Sequence, residues 1–229
     1  MTGGPNCCMG SLHRRTATAE AVPSVPSRHP MSSFSSFLQL GLQHIFSLAA
    51  ADHLLFLAAL ILAHDPGKWR PLLILITAFT VGHSMALALA TLNLVTPGTQ
   101  VVEVLIPGTI IVTSLLNLWS WRQPRRANDP PRTAPARLWP RYTLAMGFGL
   151  LHGLGFSTVL RGMLGADESL LLPLLAFNIG IELAQIVVLA LLAVVGALLT
   201  WIAFDRRGYV LAASGITFGC ACQMILSRL

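Results

Sequence analysis

Charge is scarce in this chain. Only 10% of its 229 residues are charged, against 54% hydrophobic, and the mean hydropathy is +0.69. Such a composition excludes an ordinary soluble domain and marks an integral membrane protein. The net charge of +6 does not point to nucleic acid, because the basic residues sit beside apolar runs. Cysteine is scarce too. Cys7 and Cys8 lie near the start and Cys220 and Cys222 near the end, which makes neither a disulfide framework nor a zinc ribbon. No phosphate-binding loop or ATPase motif occurs, so any transport would draw on a gradient. The first 30 residues hold no apolar run but carry Pro5, Pro23, Pro26 and Pro30. That composition predicts a disordered tail over 1–33 rather than a signal peptide, followed by a membrane domain over 34–229.

What the chain does have is long apolar runs. About 20 residues are needed to cross a bilayer as a helix. Six runs qualify, near 37–63, 71–95, 100–121, 142–164, 170–201 and 209–227. The expected fold is an all-α, polytopic bundle of six transmembrane helices. Lys68, Arg70, Arg122, Arg125, Arg126, Arg132, Arg137, Arg141, Arg206 and Arg207 fall on one side; Arg14, Arg15, Arg28, Arg161 and Arg228 fall on the other. Ten against five makes the first side cytoplasmic and puts both termini outside. Trp69, Trp119, Trp121, Trp139 and Trp201 all fall at the cytoplasmic ends, as an aromatic belt would.

Five groups contradict this apolar setting. Asp52, His53, His83, His152 and Glu182 lie near the centres of the first, second, fourth and fifth runs. A carboxylate at the bilayer midplane costs about 2.5–3.5 kcal/mol even on the lenient insertion scale. Interhelical hydrogen bonds return about 0.6 kcal/mol each on average. A divalent cation held among these groups offsets the cost better. Imidazole and carboxylate together suit nickel, cobalt, zinc, iron(II) or manganese, and the lack of a midplane thiolate disfavours copper(I).

Supporting polar groups follow helical spacing. Asn178, Glu182 and Gln185 share one face of the fifth run. Thr77, Thr80 and Ser84 share a face of the second, beside His83, and Glu103, Ser114 and Asn117 line the third. Pro107 removes one backbone donor within the third run, which frees a carbonyl. Gly149 and Gly153 flank His152 and allow close approach of a neighbouring helix. On a straight helix, His44 lies about 12 Å below Asp52 and about 80° round the axis. His44 is therefore expected in an outer site with Glu103, unless the first helix is distorted. His64 is expected at the interface, and Cys220 and Cys222 in packing.

Three functions fit these residues. The first is a gradient-driven permease for a divalent transition metal, which is not an enzyme. The second is an intramembrane zinc hydrolase using the same histidines with Ser84 and an activated water. The third is a proton-relay or structural subunit built on Glu182 and His152. A rhomboid-like use of Ser157 lacks an activating histidine in the sixth run.

The stretch from His44-Ile45 through Asp52-His53-Leu54-Leu55-Phe56, with Thr77-Ala78-Phe79-Thr80-Val81-Gly82-His83-Ser84 and Val102-Glu103, carries a family resemblance. So do Phe148-Gly149-Leu150-Leu151-His152-Gly153-Leu154-Gly155-Phe156 and Phe177-Asn178-Ile179-Gly180-Ile181-Glu182. The chain resembles, over roughly residues 36–190, the HupE/UreJ family of hydrogenase and urease accessory membrane proteins. The resemblance implies a nickel or cobalt permease of the bacterial inner membrane, with zinc or iron as lesser options. It also implies hydrogenase or urease maturation machinery as the recipient, and a metal path through His44, Asp52, His53, His83 and His152. It does not indicate an oligomeric state.

Overall fold

A computed structural model describes residues 34–47, 50–62, 64, 68–96, 98–122, 135–163, 170–203 and 205–229. The tail over 1–33, with His13, His29 and its arginines, lies outside the described residues, as do Arg125, Arg126, Arg132 and the Arg137 and Arg161 side chains. Every element among the described residues is helical. The helices are α1 (Phe34–Phe46), α2 (Ala51–Leu62), α3 (Trp69–Thr91), α4 (Thr99–Arg122), α5 (Pro135–Met163), α6 (Leu171–Ile202) and α7 (Arg206–Leu226).

Five of these, α3 to α7, are long and apolar enough to cross a membrane, and α1 with α2 makes a sixth if counted as one broken span. The chain is a multi-pass membrane protein. The expected straight first helix is corrected: α1 and α2 are inclined by 70° to one another. Ser47 donates to the Gln43 carbonyl and Ala50 to that of Ser47. Broken helices are tolerated at membrane depth only where protein satisfies the backbone.

Local signals end the helices where the sequence allows. Asn93 takes a left-handed φ of 58° after α3, and Leu94 donates back to Leu89 O. That is the Schellman stop, with asparagine in the place usually held by glycine. Asp205 caps α7 through its carboxylate and the Gly208 amide.

Three close helix pairs make the bundle: α1 with α6, α3 with α5, and α4 with α7. Glycine sets the first two. A Cβ on Gly149 would run into the Phe79 carbonyl, and one on Gly153 into that of His83. Gly82 on the facing helix is equally confined by Met146. Without a strong hydrophobic force between helices in lipid, such close van der Waals approach is what holds them. The short α2 sits among α4, α6 and α7. The main core cluster runs through Phe37, Phe56, Phe79, Phe177, Ile181 and Leu160. Trp69, Trp119, Trp139 and Trp201 are exposed as a belt requires, whereas Trp121 is buried against Val210 and Leu62.

Candidate metal centre

The bend in the first span builds the site. It makes Asp52 and His53 the second and third residues of a new helix, so the carboxylate lies at a helix N-terminus. The helix dipole stabilises an anion there. It also carries α1 back so that the His44 ring centroid lies 4.8 Å from that of His53. The expectation that His44 sits with Glu103 in a separate outer site is therefore corrected. The geometry that separated them assumed a straight helix.

His53 is the hub. Its ring lies 4.7 Å from His152 and 6.0 Å from His83, and His83 lies 6.1 Å from His44. Four imidazoles from α1, α2, α3 and α5 thus pack in one cluster. Asp52, His53 and His152 each present a ligand atom with all three atoms within 4.8 Å of one another.

Hydrogen bonds decide which nitrogens are available. The Asp52 carboxylate accepts from the His53 amide and faces His53 Nδ1, both at 2.9 Å. Nδ1 therefore carries the proton, and Nε2 presents its lone pair. Thr109 gives its hydroxyl proton to Ile106 O at 2.7 Å, so toward His152 Nε2, 3.2 Å away, it accepts. His152 Nε2 then carries the proton, and Nδ1 is left with a lone pair. Histidine ligands are usually fixed in just this way by a partner on the other nitrogen. His53 Nε2, His152 Nδ1, His44 Nε2 and both nitrogens of His83 are buried and have no hydrogen-bond partner. An unmet buried polar atom costs about 1–3 kcal/mol. A cation would satisfy the lone pairs among these nitrogens, though not the N–H that a neutral His83 must carry on one of its two nitrogens.

Aromatic rings wall the cluster. Phe156 stacks on Phe177 at 5.0 Å and 4°, and Phe56 on Phe79 at 5.0 Å and 28°. His44 packs on Phe156 at 4.2 Å. These phenylalanines keep water from the histidines and strengthen electrostatic interactions inside. In the sequence all four belong to the family motifs, but nothing there distinguishes a core-facing from a lipid-facing phenylalanine.

The remaining candidates fall elsewhere. Glu182 is half-buried and accepts from Thr77 at 2.6 Å; Gln185 accepts from Thr80 at 3.0 Å. These two bonds form a polar seam between α3 and α6. Asn178 donates to Leu174 O on its own helix, and Ser84 donates to Thr80 O. Asn117 ties α4 to α2 through Ala59 O, and Ser114 pairs with Thr217 on α7. Glu103 is exposed beside a cavity of about 150 Å³ that reaches Gly155 and Ser157. His64, expected at the interface, is buried, with its carbonyl accepting from Arg206. Cys220 and Cys222 are free thiols and half-buried.

One participant carries no signal in the sequence. Arg228 Nη2 lies 3.9 Å from Asp52 Oδ2, while Nη1 donates to the Glu103 carbonyl. That carbonyl is the acceptor four residues before Pro107, which has no N–H to return to it. The proline thus supplies the acceptor that anchors the arginine beside Asp52.

A model of the HupE / UreJ protein family matches residues 20–228. The chain belongs to that family. The match extends well beyond 36–190 and takes in α7 with Arg228. No curated protein and no solved structure matches the chain. Membership accords with the apolar helices and with a role in nickel or cobalt handling at a membrane.

Proposed function

We propose that this chain is a gradient-driven permease for a divalent transition metal, nickel or cobalt, with His44, Asp52, His53, His83 and His152 as the central site. What supports the reading is the buried group of Asp52, His53 and His152, whose ligand atoms lie within 4.8 Å of one another, with the His44 and His83 rings packed beside it. His53 Nε2 and His152 Nδ1 are each buried with an unpartnered lone pair. His44 and His83 complete a nitrogen-rich set of borderline softness, which nickel and cobalt favour over calcium or magnesium. Asp52 supplies negative charge and fixes the His53 tautomer. Glu182 belongs to the seam beside the site. The membrane domain spans 34–229, with both termini outside the bacterial inner membrane. The cargo passes to hydrogenase or urease maturation machinery.

Ser84, the hydroxyl of the zinc-hydrolase alternative, is back-bonded to Thr80 O, and Ser157, the rhomboid-like nucleophile, to Leu154 O. That weighs against a serine nucleophile. A conducting site must bind firmly enough to strip water and loosely enough to release. Mixed ligands on four separate helices meet that demand, since motion of any one weakens the whole set.

His83→Leu tests the reading. It is expected to abolish radiolabelled nickel uptake by cells while raising the thermal stability of the metal-free protein, because two unmet nitrogens leave the core. Normal uptake by a well-inserted His83→Leu chain removes the permease.

A further inference from the structure

The four helices around the cluster repeat one another. Gly41-Leu42-Gln43-His44 on α1 matches Gly149-Leu150-Leu151-His152 on α5. Ala78-Phe79-Thr80-Val81-Gly82 on α3 matches Ala176-Phe177-Asn178-Ile179-Gly180 on α6. Short motifs alone would be weak, but packing repeats with them. A Cβ on Gly41 would strike the Phe177 carbonyl and come within 3.0 Å of the Ile181 nitrogen. A Cβ on Gly149 would strike the Phe79 carbonyl and come within 3.0 Å of the His83 nitrogen. In the reverse direction, Gly180 meets Leu38 O and, at 3.0 Å, Leu42 N; Gly82 meets Met146 O and, at 3.1 Å, Leu150 N. Each of these four contacts in one pair has its counterpart, at the matching residue, in the other; Gly153 against His83 O is not repeated, since its counterpart is Ile45.

Burial agrees. From Phe79 to Leu87 the order is buried, buried, exposed, buried, buried, half-buried, exposed, buried, buried, and the same order runs from Phe177 to Gln185. His44 faces Phe177 at 5.8 Å as His152 faces Phe79 at 5.1 Å. His53 lies 4.8 Å from one of these histidines and 4.7 Å from the other. The last helices of the two halves, α4 and α7, pack on each other, as elements adjoining an axis must.

We infer that the chain is an internal duplication, with 34–122 and 135–226 as its halves, related by a pseudo-two-fold axis that passes beside His53. With the broken first span counted as one crossing, each half crosses three times, so the halves are inverted and the axis lies in the membrane plane. Inverted repeats place a substrate site at their interface near the midplane, and the halves rock about it in alternating access. Here the closely packed pairs α1 with α6 and α3 with α5 are the two arms. His44 and His152 are equivalent ligands, one from each arm, and His53 lies between them. His83 has Ile181 as its counterpart, so the fourth histidine stands on one arm only. In its functional half this inference rests on the permease reading; the duplication does not.

Two experiments decide it. The first moves the lone histidine across the axis. In full-length protein purified in detergent and titrated with nickel ion alone, His83→Ile is expected to weaken binding tenfold or more. Adding Ile181→His, a swap of nearly equal volume, is expected to restore affinity to within about threefold. A double variant as monodisperse as the parent but no tighter than His83→Ile overturns the axis. If the parent binds no nickel, the permease fails and the second experiment alone decides the duplication. Cysteines placed at Ser35→Cys and at its counterpart Thr143→Cys, in a chain with the native cysteines changed to serine, are labelled in membranes with an impermeant maleimide. Reaction from opposite faces is expected. Reaction from the same face overturns the inverted duplication.

Discussion

The α3–α5 seam and the α1–α6 seam are built from the same parts and carry different loads. Both press glycines against backbone carbonyls, and both bury a phenylalanine one turn before the crossing. At the next position α3 has His83, with both nitrogens bare, and α6 has Ile181. A turn away, α6 offers Glu182 and Gln185 to the hydroxyls of Thr77 and Thr80. One arm therefore brings an extra ligand, and the other brings the polar groups that hold its partner. A packing frame can thus be duplicated while its chemistry stays one-sided, because glycine contacts depend on backbone geometry and ligand contacts on single side chains.

The largest effect is expected at the frame. Gly149→Ala puts a methyl where the Phe79 carbonyl lies, and backbone cannot step aside as a side-chain tip can. The seam must open, which costs on the order of 3 kcal/mol. Gly147, two residues away on the same helix, has nothing within 4 Å of a Cβ. Gly147→Ala is expected to be neutral or stabilising by up to about 1 kcal/mol, since alanine is the better helix former. Unfolding in mixed detergent compares the two. Equal stability of the variants would mean that glycine contact does not hold the arm together. Gly41→Ala should match Gly149→Ala if both seams bear equal weight.

A smaller effect, confined to metal affinity, is expected at Thr109. Its hydroxyl is committed to Ile106 O and fixes the His152 tautomer by accepting from Nε2. Thr109→Val removes that acceptor while keeping the shape. Loss of such an orienting partner typically weakens metal binding 10- to 100-fold. Calorimetric titration with nickel is expected to show a loss near the lower end, with Thr109→Ser close to the parent. Unchanged affinity in Thr109→Val would remove Thr109 from the support of His152.

Much of this is legible in the sequence. Asp52, His53, His83 and His152 declare themselves because an ionisable group in an apolar run is costly to insert and faces the bundle interior rather than lipid. Pro107 declares a freed carbonyl. The bend does not declare itself: Phe46-Ser47-Leu48-Ala49-Ala50-Ala51 holds neither proline nor glycine and is made mostly of good helix formers. Tertiary packing overrides that propensity, and the position of His44 follows from it. The aromatic wall is only half legible: its phenylalanines lie in the family motifs, but phenylalanine in an apolar run can face lipid or core alike. The roles of Glu182 and Gln185 are half legible: spacing gives their common face, but only the facing helix shows that Thr77 and Thr80 receive them.

Arg228 brings a cation to one half alone, and it is where the smallest effect is expected. Its guanidinium lies 3.9 Å from Asp52 Oδ2 with its side chain 24% exposed, so water partly screens the pair. In the metal-free state it offsets the carboxylate, and when a dication arrives the same charge repels it. Arg228→Gln removes the repulsion and frees an Asp52 oxygen. The expected result is nickel binding roughly threefold to tenfold tighter, a modest gain for a screened charge in an intermediate dielectric. Uptake is expected to fall rather than rise, because a site that holds its ion longer releases it more slowly. Arg228→Lys keeps the charge and is expected to behave as the parent. Affinity unchanged by Arg228→Gln would show that the arginine only satisfies the Glu103 carbonyl that Pro107 leaves bare; tighter binding with slower uptake would make it the counter-ion that the arriving metal displaces.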